Sequence, residues 1–229
     1  MTLAFTFPIK DAWIIISDRK MISKDDNIKD ADSMCIKFFV DNQQKVKQIS
    51  HNLIFVGAGN REILDKVIER INLSKDFDEF VTYIKIKMAE VNTNFGNIID
   101  EEEFLIIEQN TQKAFKFRIK DISQNKGGLH VLNLSDMNHN FIGCYDNCVN
   151  LGEAKLEIEE LKNKSFSDLN KEFYRSCNKI LSLLAIDHLY SVGHPSIHGS
   201  DIWAVSKDKL KKIYSIPNNE FIWREEGND

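Results

Sequence analysis

The chemistry in this chain starts at its second residue. Aminopeptidases trim an initiator methionine that precedes a small residue, so removal of Met1 leaves Thr2 as the N-terminus. Thr2 then carries a hydroxyl and a free α-amine on one residue, nucleophile beside base. A threonine hydroxyl is a poor nucleophile until a neighbouring base activates it, and here the base comes with the nucleophile. Sixteen positions later stands Asp18, at the end of the apolar run Trp13-Ile14-Ile15-Ile16. Met by itself, Thr2 is an ordinary second residue and Asp18 an ordinary turn acid.

Other clusters have weaker claims. His194 and His198 have a spacing that can hold a metal, but Pro195 breaks a helix through them and no acidic or cysteine partner stands nearby, so a loop pair is the better reading. Cys144 and Cys148 fall one turn apart at a helix start and read as buried thiols. No metal and no cofactor are implied.

Elements must position these residues, and composition limits what they build. The chain has 229 residues, 42% of them hydrophobic and 28% charged, with 3 prolines and 10 glycines, which suits one globular domain spanning 1–229. Four cysteines in a chain of this length do not make a disulfide framework. No apolar stretch approaches the roughly 20 residues of a spanning helix, and no signal-peptide pattern opens the chain. A cytoplasmic protein without membrane attachment is expected. The net charge of −5 and the scatter of lysines among acids argue against a nucleic-acid partner.

Periodicity predicts strands at Leu3 to Phe7 and Trp13 to Asp18, with Pro8 to Asp11 as their turn, then at Cys35 to Val40, Lys45 to Ile49 and Leu53 to Gly57. Residues 19–33 read as a polar loop. Helical spacing follows from Asn60 to Ile71 and from Phe77 to Val91, the second with Phe80, Ile84, Ile86, Met88 and Val91 on its buried side. Strands return at Phe104 to Glu108, Ala114 to Ile119, Leu129 to Leu134 and Phe141 to Cys144. Helices are expected from Asn147 to Leu161 and from Ser167 to His188, the latter capped by Ser167-Asp168. A last strand, Ile202 to Val205, leads into a polar tail. Helices that come in pairs between blocks of strands do not make parallel crossovers. They predict an α+β fold, a four-layer αββα sandwich of two stacked, mainly antiparallel sheets with a helix pair on each outer side.

This order, with a threonine one position from the start, resembles the N-terminal-nucleophile (Ntn) hydrolases, and among them the β-type subunits of the proteasome. In that family the mature chain begins with a catalytic threonine and the second strand ends in an acid sixteen positions on, as Thr2 and Asp18 do, with Ile9-Lys10-Asp11-Ala12 at the family's turn. The family's lysine heads a Lys-apolar-x-x-Ile strand, matched by Lys45-Val46-Lys47-Gln48-Ile49. An Ala-Gly pair follows that isoleucine at the interval kept here from Ile49 to Ala58-Gly59. The family's Gly-Ser-Gly falls at Gly143-Cys144-Tyr145 and its Ser-Gly-Gly near Ser196 to Gly199. The chain departs from the pattern in an insertion around residues 20–40, in Cys144 where the family has serine, and in His194-Pro195-Ser196 where it has a supporting aspartate.

The resemblance implies a threonine-type peptidase. Thr2 would be the nucleophile. Lys45, with Lys37 and Lys47 as rivals, would be the cation that stabilises the deprotonated hydroxyl and keeps the amine neutral. Asp18 would hold that lysine and Gly59 would give the oxyanion donor. Cys144 and Ser196 would be weaker supports. The implied substrate is a peptide or unfolded protein and the implied assembly a homo- or hetero-oligomeric ring. A non-catalytic subunit of such an assembly, a stand-alone Ntn amidohydrolase acting on a small amide, and an unrelated binding sandwich are the alternatives.

Overall fold

The computed structural model describes residues 4–18, 21–23, 38–40, 45–58, 61–73, 79–80, 82–83, 86, 103–118, 129–136, 140–142, 151–192, 200–216 and 220–223. Its architecture follows from the first hairpin. Strands β1 (Ala4–Ile9) and β2 (Ala12–Asp18) pair antiparallel from Ala4↔Ser17 to Ile9↔Ala12, joined by the two-residue turn Lys10-Asp11. Successive side chains of a strand point to opposite faces. Phe5, Phe7, Ile9, Ala12, Ile14 and Ile16 enter one apolar layer, and Ala4, Trp13 and Ile15 enter another. A hairpin apolar on both faces must lie inside a stack of layers.

The remaining elements build that stack. Strands β3 (Met21–Ser23) and β4 (Phe38–Val40) pair with each other as a ribbon. β5 (Val46–Ser50), β6 (Leu53–Ala58), β7 (Glu103–Glu108), β8 (Lys113–Arg118) and β9 (Leu129–Asn133) form a five-stranded antiparallel sheet in chain order. β10 (Asn140–Ile142), β11 (Ser200–Ser206), β12 (Leu210–Ile216) and β13 (Glu220–Trp223) join the first hairpin in a six-stranded antiparallel sheet of order β10-β1-β2-β11-β12-β13. Helix α1 (Arg61–Leu73) lies between β6 and β7 in the chain; α2 (Leu151–Lys162) and α3 (Lys171–Val192) lie between β10 and β11.

Three apolar layers separate four structural ones. α2 and α3 set Ala154, Ile158, Phe173, Tyr174, Cys177 and Ile180 against the six-stranded sheet. The two sheets meet through Trp13, Ile15, Val56, Leu105, Trp203 and their neighbours. α1 and Phe80 cover the outer face of the five-stranded sheet, where Phe55, Phe104 and Phe117 stack in a row. The fold is therefore the expected α+β sandwich of αββα type.

Several details differ from the sequence-based expectation. Pro8 belongs to β1 and not to the turn; β10 pairs with β1 only as far as Thr6, so Pro8 sits where that side of β1 has no described partner strand. Part of the 20–40 stretch is ordered as the β3–β4 ribbon. Ile86 is 55% exposed and does not join the buried side on which Phe80 lies. Ser167-Asp168 does not cap α3. Phe166–Asp168 is a short 3₁₀ turn, and the cap of α3 is Asn170, whose Oδ1 accepts from the N–H groups of Glu172 and Phe173. The polar tail contains β12 and β13. Lysines hid β12: Lys211 and Lys212 set their ammonium groups 4.9 and 4.8 Å from the ring centres of Phe166 and Trp203, laying charged side chains on apolar surface.

Ionised groups outside the sheets secure the helix pair. The Glu157 carboxylate accepts from Lys179 Nζ across α2 and α3 and holds that ammonium above its usual range. The backbone N–H of Ser165 donates to Asp168 and holds its carboxyl low.

Candidate active site

Two polar contacts, one between the sheets and one within the five-stranded sheet, bring three turns together. Trp13 Nε1, two residues past the β1–β2 turn, donates to Gln112 O at 3.0 Å in the β7–β8 turn. Gln109 N in that same turn donates to Asn52 O at 2.8 Å in the β5–β6 turn. These three turns therefore share one rim of the sandwich. The opposite strand ends then share the other rim: the start of β1 at Ala4, the end of β2 at Asp18, the start of β5 after Lys45 and the end of β6 at Ala58.

Of the candidate residues, only some are among the described ones. Thr2 lies outside the described residues, two positions before Ala4, the first residue of β1. Asp18 ends β2 opposite Ser200 of β11. Lys45 is half-buried in the bend before β5, and its carbonyl accepts from Gly57 N at 3.3 Å. Ala58 ends β6 opposite Glu103 of β7. Gly59, Cys144 and Ser196 lie outside the described residues, as do Lys37, His194 and His198. Lys47, one of the rival lysines, faces α1 instead, with its Nζ 3.0 Å from Asp65 Oδ1.

The rim also holds charged and polar groups that sequence reasoning passed over. Glu103, only 6% exposed, accepts from Arg118 Nε and lies 3.7 Å from Lys116 Nζ. Alternation places all three on the inter-sheet face, since Leu105 of β7 and Ala114 of β8 are there. Ser17 and Asp201 are buried beside each other in register on β2 and β11. The available signals were slight: Ser17 is a polar residue closing an isoleucine run, and Glu103 is the last of three glutamates before a strand. Cys177, whose thiol burial pushes well above its ordinary range, belongs to the helix layer and not to this rim.

A sandwich of two antiparallel sheets, with a helix pair outside one and α1 outside the other, resembles the layering of the Ntn-hydrolase fold. Among solved structures, this chain superposes on the Gly-1 mutant of Anbu from Hyphomicrobium sp. strain MC1 with a TM-score of 0.57, over 95% of this chain and 89% of that one, at 13% identity. Anbu is a proteasome-like protein of that fold, and at this identity the likeness is one of fold. No protein-family profile matches the chain, and no curated protein does. Among the described residues no helix is long and apolar enough to cross a membrane.

Proposed function

We propose that this chain is an N-terminal threonine hydrolase that cleaves peptide bonds with Thr2 after removal of Met1. The observation that carries the reading is the convergence of the ends of β1, β2, β5 and β6 on one rim of the sandwich, because Thr2, Asp18, Lys45 and Gly59 belong to those four ends or to the residues flanking them. The proposal takes residues 1–229 as one domain.

In this mechanism Thr2 Oγ attacks the scissile carbonyl while its own α-amine takes the proton through one water. The proton passes to the leaving amine as the C–N bond breaks, and a water then hydrolyses the Thr2 ester to release the acid and restore the hydroxyl. The Lys45 ammonium stabilises the alkoxide and disfavours a second positive charge on the amine. Asp18 holds the lysine in place. The N–H of Gly59 meets the developing oxyanion, where loss of one donor typically costs about 2.7–4 kcal/mol of barrier. Cys144 and Ser196 support the amine. Peptides or unfolded chains are the substrates, and a ring of like subunits is the assembly that would confine such a nucleophile.

Labelling by an electrophile directed at N-terminal threonine, read by mass spectrometry, tests the proposal. Modification at Thr2, with peptide hydrolysis abolished in Thr2→Ala, is expected. A retained Met1 or an unlabelled Thr2 defeats it and leaves a non-catalytic member of the fold. Light scattering separates the assemblies: a labelled monomer would instead be a stand-alone amidohydrolase.

A further inference from the structure

Two hydroxyls are sealed between the sheets. Thr6 and Ser17 are both 0% exposed, and neither Thr6 Oγ1 nor Ser17 Oγ has a hydrogen-bond partner among the described residues. Alternation puts both on the inter-sheet face, with Ala4 of β1 and with Trp13 and Ile15 of β2. Register makes them diagonal neighbours, because Thr6 lies opposite Ile15 and Ser17 lies opposite Ala4. Cβ atoms so placed are about 7 Å apart, which is too far for two short hydroxyl side chains to meet directly. Two residues flank both of them, Ala4 and Ile15, and the small Ala4 side chain leaves the face lower on its side of the diagonal.

A third polar group adjoins the pair. Asp201 of β11, 5% exposed, lies opposite Ser17, and its neighbour along the same face, Trp203, belongs to the inter-sheet layer. A buried hydroxyl left without a partner costs about 1–3 kcal/mol. Two such hydroxyls on one diagonal, beside a carboxylate and a small side chain, match what an internal water requires, namely roughly two to four polar partners and room for one molecule. An apolar filling would leave both hydroxyls unsatisfied, whereas one water can accept from or donate to each.

We propose that Thr6 and Ser17, with the Asp201 carboxylate beside them, form a binding site for an internal water between the two sheets. The site adjoins the rim, one residue before Asp18 and two before Ala4 is reached from Thr6, but it stands whether or not Thr2 is a nucleophile. It makes the inter-sheet layer wet at the rim where β1 begins and β2 ends, and leaves it apolar toward the β1–β2 turn, at Trp13 and Val205.

A crystal structure of the full chain at a resolution that shows ordered waters tests this directly. A water about 2.7–3.2 Å from both Thr6 Oγ1 and Ser17 Oγ is expected; a dry site overturns the proposal. Thermal unfolding of Thr6→Val and Ser17→Ala gives an independent reading. If the site is dry, deleting an unsatisfied hydroxyl leaves the midpoint unchanged or raises it, which also overturns the proposal. If a water bridges the pair, either change lowers the midpoint by a few degrees, on the order of 2–4 °C for a chain of this size. The double variant then loses less than the sum, since the first deletion already frees the water. A strictly additive loss overturns it. If a variant fails to fold, the water in the unaltered protein still decides.

Discussion

Gly57 shows how one residue can serve both packing and the proposed site. It lies opposite Phe104 on β7. A Cβ built there would stand 2.7 Å from Phe55 Cε1 and 2.9 Å from Leu64 Cδ1. The Phe55 ring cannot simply yield, because it stacks on Phe104 with centroids 5.6 Å apart, and Phe104 stacks on Phe117 at 4.6 Å. Gly57→Ala is therefore an overpacking change, expected to destabilise by about 1–3 kcal/mol in urea unfolding. Because Gly57 N also donates to the Lys45 carbonyl, the same variant is expected to slow Thr2 labelling under native conditions; an unchanged midpoint would show that α1 gives way freely. The Gly57-Ala58-Gly59 run was legible in the sequence as a strand-to-helix corner. Its steric reason was not, because the Phe55 ring that closes on Gly57 is held there by Phe104, which arrives from β7 after a long excursion in the chain. The intervals from Thr2 to Asp18 and from Ile49 to Gly59 were legible for the opposite reason: they lie within hairpins and corners whose lengths are local. Glu103, brought to Ala58 only by sheet pairing, had only the slight signal of a glutamate run before a strand.

At the level of elements, strands with both faces buried were easy to find and helix starts were not. The segment Ser165-Phe166-Ser167-Asp168-Leu169-Asn170 offers several capping residues in six positions. Which of them is used depends on a distant contact. Asp11 Oδ1, in the β1–β2 turn, accepts from Phe166 N at 2.7 Å, and Lys10 N donates to Lys164 O at 3.1 Å. Those contacts stop the chain in a 3₁₀ turn, with Ser165 and Asp168 bonded to each other, and defer the start of α3 to Lys171. Asn170 then satisfies two of the free N–H groups of the first helical turn. Asn170→Ala is accordingly expected to cost about 1 kcal/mol, seen as a lower thermal midpoint, whereas Ser167→Ala, at the position the sequence favoured, should leave the midpoint nearly unchanged. Equal losses in the two variants would return the cap to Ser167. The β12 strand was missed by the same kind of non-local effect, since its lysines find apolar partners only once Trp203 and Phe166 are in place.

At the scale of the whole molecule, a hydrogen bond at the rim of the β1–β2 and β7–β8 turns ties one sheet to the other. The inter-sheet layer is largely apolar, and apolar contact is non-directional, so burial alone fixes the spacing of the sheets better than their sliding. Trp13 adds direction. Its side chain is fully buried in that layer while its indole N–H reaches Gln112 O, and Gln112 holds a positive φ of 54° and donates from Nε2 to Gln109 O at 2.7 Å. The β7–β8 turn is thus shaped to present one carbonyl to the opposite sheet. Trp13→Phe keeps an aromatic ring in the layer but removes the donor and part of the volume. A neutral hydrogen bond contributes about 0.5–1.5 kcal/mol net, and the space left by the smaller ring adds a cavity cost, so a clear drop in the denaturant midpoint is expected. The effect on Thr2 labelling then measures what the tie controls. If sandwich packing alone keeps the two halves of the rim together, labelling measured far below the midpoint is unchanged in Trp13→Phe. We expect the contrary, a slower reaction, because β1 and β2 carry one half of the proposed site and β5 and β6 the other. Sliding of one sheet across the other at the far rim displaces Lys45 relative to the start of β1 by the same amount.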